Sequence, residues 1–161
     1  MHVFVSGATG FVGLHTVLAL RKAGHQVRLG VRNRQKMTAL YAAHGVPIDD
    51  YSVADITDAG ALKHALRGVD AVVHTAALVS TDPAQAKRMH DTNVSGTRNV
   101  MTQALQQEVA SIVYVSSAAA LFPEAARANR SIFYTGGRPA SVAEVHANLQ
   151  RSAGQGTPAA G

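Results

Sequence analysis

Cysteine is absent from all 161 residues, and so is tryptophan. The first absence excludes a disulfide framework and any thiolate metal site, and it suits a reducing, cytoplasmic setting. Aromatic residues are only 5% of the chain, so a core here has to be built from Val, Leu, Ile and Ala. No apolar run approaches the ~20 residues needed to cross a bilayer. Met1-His2 carries no Lys or Arg, and Gly7 breaks the first apolar stretch, so the start does not read as a signal peptide. No group of His, Asp and Glu has metal-ligand spacing. Lysine is missing after Lys87, an absence that matters below.

The charge is +5, from 15 Lys/Arg against 10 Asp/Glu. Eleven of those cations precede residue 123, where eight acids offset them, and they are scattered. With no basic stripe and no interleaved aromatics, this reads as a solvated surface rather than a nucleic-acid or membrane face.

Apolar residues make up 47%, enough for one packed domain. Their spacing alternates between two patterns. His2–Ser6 is a short β-branched run that stops at Gly7, as a buried strand does. Leu14, Val17, Leu18 and Arg21 then follow helical spacing up to Gly24. Gln26–Val31 predicts a second strand, Arg34–Ala43 a helix closed by Gly45 and Pro47, and Asp50–Val53 a third strand. Asp58 reads as the N-cap of a helix ending at Leu66. Ala71–Thr75 predicts a fourth strand. Pro83 opens a long helix with an apolar stripe of Thr97, Val100, Met101, Ala104 and Leu105, and Ser111–Ser116 predicts a fifth strand. Strictly alternating strands and helices predict an α/β doubly wound parallel sheet, the Rossmann fold, with right-handed crossovers. After Phe122 the pattern fades. Residues 123–161 carry Gly136-Gly137, Pro139 and a final SAGQGTPAAG, and are expected to be an irregular, partly disordered segment with at most one short helix at Ser141–Leu149.

Gly7-Ala8-Thr9-Gly10-Phe11-Val12-Gly13 sits where a strand ends and a helix begins, the context in which a glycine motif carries chemistry. Gly7 permits a tight turn, Gly10 lets a diphosphate approach the backbone, and Gly13 lets the helix pack against the sheet. Free N–H groups and the positive end of the helix then face the anion.

GATGFVG resembles the loop of the extended short-chain dehydrogenase/reductases, among them nucleotide-sugar epimerases and enzymes like dihydroflavonol reductase and 3β-hydroxysteroid dehydrogenase. Further motifs fall in that family's order. Asp55-Ile56-Thr57-Asp58 resembles its adenine-contacting acidic turn, and His74-Thr75-Ala76-Ala77 the fourth-strand loop that touches the cofactor ribose. Asn93-Val94-Ser95-Gly96-Thr97 is similar to the central-helix N-V-x-G-T, and Tyr114-Val115-Ser116-Ser117 to the fifth-strand end that carries the active-site Ser. The resemblance covers residues 1–122. It implies a dinucleotide cofactor bound by Gly7, Thr9, Gly10, Phe11, Val12, Gly13, Asp55, Ile56, Thr75, Ala76 and Ala77. It also implies a small-molecule substrate in full-length relatives, and leaves a homodimer open. Asn93 is expected to bridge helix and active-site strand. His74 reads as a satisfied core residue. Asp55 has a plainer alternative, a cap on the turn before the next helix.

NAD-binding members carry an acid at the end of the second strand. Here Val31 stands there, followed by Arg32, Arg34 and Lys36. A carboxylate would repel a 2′-phosphate, whereas Arg grips it bidentately and stacks on adenine. NADP(H) is therefore the preferred cofactor, with NAD(H) the alternative.

The resemblance implies catalysis by a Tyr, a Lys four residues later and a Ser, with Ser117 in the position of the Ser. The Tyr-x-x-x-Lys pair is missing. Its nearest imitation is Tyr134 to Arg138, where Gly136-Gly137 and Pro139 oppose the helix that would put both groups on one face, and Arg does not replace Lys in shape or donor geometry. The chain is therefore expected to stop before the substrate lobe. Three readings follow: an NADP(H)-dependent oxidoreductase acting on a carbonyl or alcohol, a non-catalytic NADP-binding regulatory or interaction module, and a nucleotide-sugar epimerase or dehydratase.

Overall fold

The computed structural model describes residues 1–117. In chain order the elements are β1 (His2–Ser6), α1 (Phe11–Lys22), β2 (Gln26–Val31), α2 (Arg34–Ala43), β3 (Tyr51–Val53), α3 (Ala59–Ala65) and β4 (Ala71–His74). A helical run follows, with α4 (Ala86–His90) and α5 (Thr97–Gln106), and then β5 (Ser111–Tyr114). The strands form one sheet ordered β3-β2-β1-β4-β5, and every pairing is parallel.

Alternation along β1 builds both faces. Val3 and Val5 point to one side, where Leu14, Val17, Leu29, Met37 and Tyr41 bury them beneath α1 and α2. Phe4 points to the other, with Leu62, Leu66, Val72, Val100 and Ala104 under α3 and α5. Its ring lies over Gly30, where a Cβ would come within 2.4 Å of the ring. Helices cover both faces, which makes the sheet doubly wound. Because the chain order reverses at β1 and β4, the loops after these strands open a crevice at the C-terminal edge of the sheet.

The third strand begins at Tyr51, one residue later than expected; the fourth ends at His74 and the fifth at Tyr114, each short of expectation. The long helix needs a larger correction. Pro83–Gln85 forms a single 3₁₀ turn capped by the Asp82 side chain, and Asp91–Gly96 is a π-helical segment between α4 and α5. Val100 and Ala104 of the expected stripe are buried, while Thr97, Met101 and Leu105 are half-buried. The expectations for residues 123–161, including Tyr134, lie outside the described residues.

Candidate functional site

The turn from β1 into α1 is held by its own backbone. Gly7 has φ +69°, which L side chains rarely adopt, and a Cβ there would lie 2.7 Å from the Ala76 nitrogen. At Gly13 a Cβ would lie 2.2 Å from the Gly7 carbonyl oxygen and 2.9 Å from the Thr75 hydroxyl. Helix and turn can approach this closely only with glycine at that position. Gly10 differs. Its φ is −89°, and a Cβ would meet only the Gly7 oxygen, at 3.3 Å. The described protein crowds Gly10 far less than Gly7 or Gly13, so the space above it is open to a ligand.

Gly10 caps α1 without a side-chain acceptor, and the first turn holds no acid. The N–H groups of Phe11, Val12 and Gly13 therefore have no intrahelical partner, and the helix dipole adds positive potential. Phe11 is 82% exposed and Val12 half exposed, so these residues offer their amides rather than a packed side chain. Tyr41 fixes the loop from below, its hydroxyl donating to the Ala8 carbonyl at 2.8 Å. Burial pushes that phenol up to about 12, so it stays a donor. The cradle has the shape and polarity for a diphosphate.

Beside it, a buried polar chain joins β1, β4 and α5. The Thr75 and Ala76 N–H groups lie 3.2 Å and 3.4 Å from Ser6 Oγ, and Thr75 Oγ1 donates to the Ser6 carbonyl at 2.7 Å. With its lone pairs so engaged, the Ser6 hydroxyl donates to His74 Nδ1 at 2.6 Å. That assigns the proton on the ring to Nε2, which donates to Thr97 Oγ1 at 2.9 Å. His74 has no exposed surface, and burial pushes its imidazole down to about 4. It is a satisfied, neutral core residue that also orients the Thr75-Ala76-Ala77 loop through Ser6.

A third part lies past the ends of β2 and β3. A hollow of about 430 Å³ is lined by Arg32, Asp55 and Thr57 on one side and Arg88, Asp91, Thr92 and Ser95 on the other. Asp55 Oδ1 accepts from the Thr57 N–H at 2.9 Å and from its hydroxyl at 2.8 Å, while Oδ2 lies 4.0 Å from Arg32. Asp55 thus shapes its own turn with one oxygen and turns the other to the hollow. Partial burial works to raise its carboxyl, but the Thr57 hydrogen bonds, then Arg32 and Arg88, hold it below its ordinary value. The cap of α3 is Asp58, whose side chain accepts from the Ala61 N–H. Ile56 fills the space a Cβ would take at Gly96, and the Asn99 amide donates to the Ile56 and Thr57 carbonyls at 3.1 Å. The π segment and α5 thereby hold the 55–57 turn in place.

Asn93 does form a bridge, but to the loop after β4. It accepts from the Leu78 N–H and donates to the Leu78 carbonyl, both at 2.8 Å. Ser117 is exposed, three residues past β5. Among the described residues no group of three His, Asp or Glu could hold a metal ion, and no helix is long and apolar enough to cross a membrane.

The structure brings Gly7, Thr9, Gly10, Phe11, Val12, Gly13, Thr75, Ala76 and Ala77 to one end of the sheet, with Arg32, Asp55 and Ile56 beside them. Sequence reasoning missed Ser6 and Arg88. The small hydroxyl closing a buried strand next to Gly7 was a usable signal for Ser6; Arg88 had none.

These features define a Rossmann-type α/β domain with a glycine turn and free helix amides at the sheet's C-terminal edge. Residues 4–137 match the 3-beta hydroxysteroid dehydrogenase/isomerase family, and the chain belongs to that family, within the extended short-chain dehydrogenases/reductases. The match runs past residue 122, where the sequence pattern itself fades. A sterol demethylase protein B from Methylococcus capsulatus is 35% identical over 117 residues, 73% of this chain and 34% of that protein. A putative dihydroflavonol 4-reductase from Synechocystis is 36% identical, over 73% of this chain and 33% of the relative. A UDP-glucose 4-epimerase from Neisseria meningitidis is 35% identical, over 73% and 37%. The chain thus spans about a third of the length of these relatives.

Among solved structures, a short-chain dehydrogenase/reductase superfamily protein from Agrobacterium tumefaciens with bound NAD superposes with a TM-score of 0.65 at 30% identity. That match covers 94% of this chain and 43% of the other. Yeast methylglyoxal/isovaleraldehyde reductase complexed with NADPH gives 0.68 at 25% identity, covering 96% and 51%.

Proposed function

We propose that residues 1–122 form the cofactor-binding part of an NADP(H)-dependent oxidoreductase acting on a carbonyl or alcohol of a small molecule. The observation that carries the cofactor preference is the end of β2, where Val31 and the exposed Arg32 stand in place of a carboxylate. The NADPH-bound yeast reductase supports this reading; the NAD-bound Agrobacterium protein keeps NAD(H) as the alternative.

In this proposal the amides of Phe11, Val12 and Gly13, with Gly7, Thr9 and Gly10 around them, bind the diphosphate. Asp55 and Ile56 receive the adenine, and Arg32 the 2′-phosphate. Thr75, Ala76 and Ala77 line the ribose, oriented through Ser6 and His74. The bound nicotinamide supplies or accepts hydride. Ser117 donates a hydrogen bond to the substrate oxygen, and Tyr134 is the nearest candidate for the proton-transferring phenol.

The second reading, a non-catalytic NADP-binding module, draws on one feature: without a lysine after Lys87 the chain has no Tyr-x-x-x-Lys pair. The likeness to a UDP-glucose 4-epimerase supports the third, an epimerase or dehydratase using the same cofactor.

NADPH is expected to bind more tightly than NADH, and Arg32→Asp to reverse that order, by fluorescence or calorimetric titration. Equal affinities before and after the substitution would contradict the assignment. Carbonyl-reduction assays with NADPH separate the first two readings. The 161-residue chain is expected to show no turnover, and activity abolished by Tyr134→Phe would make it an enzyme in its own right.

A further inference from the structure

The hollow at the ends of β2 and β3 holds more cationic capacity than its own carboxylates use. Asp55 Oδ1 is taken by two hydrogen bonds from Thr57, and its other oxygen meets Arg32 only at 4.0 Å. Asp91, on the opposite wall, is held by Lys87 at 2.5 Å, one helical turn away, and lies 3.9 Å from His90 Nδ1. Arg88 has no side-chain hydrogen-bond or ion-pair partner among the described residues. Two guanidinium groups from segments 56 residues apart (88 − 32) therefore line one space, each with five N–H donors largely unengaged. Both line the same hollow as the Asp55 carboxylate. Asp91, which would otherwise neutralise its neighbour Arg88, is drawn to Lys87 instead.

We infer that Arg88 is a second specificity-determining residue, which meets the ribose 2′-phosphate from the helical wall while Arg32 meets it from the end of β2. The inference rests on the NADP(H) reading above. A phosphate monoester near neutral pH carries close to two negative charges and three acceptor oxygens. A single exposed guanidinium meets only part of that demand. Two of them on opposite walls satisfy it and leave Asp55 to the adenine, because Arg32 exchanges its distant carboxylate for the phosphate. Arg88 sits in the short α4, three residues before Asp91 opens the π segment that carries Asp91, Thr92 and Ser95 to the hollow and whose Gly96 packs on Ile56.

The test measures dissociation constants of NADPH, NADH, adenosine 2′,5′-bisphosphate and 5′-AMP for the 161-residue chain and for Arg88→Ala, Arg88→Lys and Arg32→Ala. Arg88→Ala is expected to weaken NADPH and the bisphosphate about 10-fold, the lower end for a charge-assisted contact at an exposed site. NADH and 5′-AMP should stay within about twofold, and Arg88→Lys should recover part of the loss. An unchanged melting temperature confirms the fold of each variant. If Arg32→Ala weakens NADPH while Arg88→Ala does not, or if Arg88→Ala weakens NADH equally, the role given to Arg88 is wrong and the NADP(H) reading stands. If the unsubstituted chain does not distinguish NADPH from NADH and Arg32→Ala changes neither, both fail.

Discussion

The two edges of the sheet are made of the same strands and differ in what their polar groups do. At the N-terminal edge the polar side chains close into a network. Asp50 takes His2 Nε2 at 2.7 Å and Arg28 Nε at 2.8 Å, and Arg28 also donates to the Ala65 and Arg67 carbonyls at the end of α3. Asp70 accepts the His2 backbone N–H at 2.7 Å. At the C-terminal edge the Ser6–His74–Thr97 chain is satisfied, but among the described residues other groups stand open: three helix amides without acceptors, one arginine with a distant partner and one with none. Satisfied groups hold a fold together, and unsatisfied ones at a crevice have something to bind. The comparison teaches that a domain of this kind gathers its open, ligand-ready groups at one end of its strands, beside packed groups that hold that end in shape.

Substitutions at either edge can break or sharpen that contrast. The largest effect is expected at Gly13, where valine would drive a side chain into the Gly7 carbonyl. Neither backbone segment can yield freely, so Gly13→Val should cost about 3 kcal/mol in urea unfolding and abolish NADPH binding with it. Retention of both would mean the turn is looser than its geometry.

Next in size is an acid dependence carried by His74. Its folded value, about 4, lies below the 6.5 of the unfolded chain, so the unfolded state binds the extra proton first as pH falls. The contribution is complete above pH 6.5 and is lost progressively down to about pH 4, amounting to about 3 kcal/mol. Unfolding free energies across that range should show the slope, and His74→Asn should flatten it. A slope unaffected by the substitution would assign the acid sensitivity to other groups.

The smallest effect belongs to the N-terminal edge. Asp50→Ala leaves Arg28 and His2 without their carboxylate at a partly exposed site, and should cost about 1 kcal/mol while leaving the NADPH affinity unchanged. A loss of affinity there would erase the distinction between the edges.

Most of the fold was legible in the sequence because buried parallel strands read as short continuous apolar runs, and because glycines such as Gly24, at φ +85°, stop helices where they stand. The phosphate turn was equally legible, its requirements being local to seven residues. The π segment was not: a switch from α to π hydrogen bonding leaves the apolar spacing of Val100 and Ala104 intact and has no composition of its own. Nor was the opposition of Arg32 and Arg88, since it depends on Ile56 meeting Gly96 and Asn99 holding the 55–57 turn, contacts about 40 residues apart that no local pattern encodes. His74 was recognised as core, but its link through Ser6 to the Thr75 loop depends on strand register.

The central claim is that the amides opening α1 receive the diphosphate. Amide chemical shifts of the nitrogen-15-labelled chain, followed as NADPH is added, test it directly. The account predicts saturable shifts led by Phe11, Val12 and Gly13, with those of His2 and Asp70 at the opposite edge unmoved. Saturable binding that leaves the three helix amides where they were would contradict it.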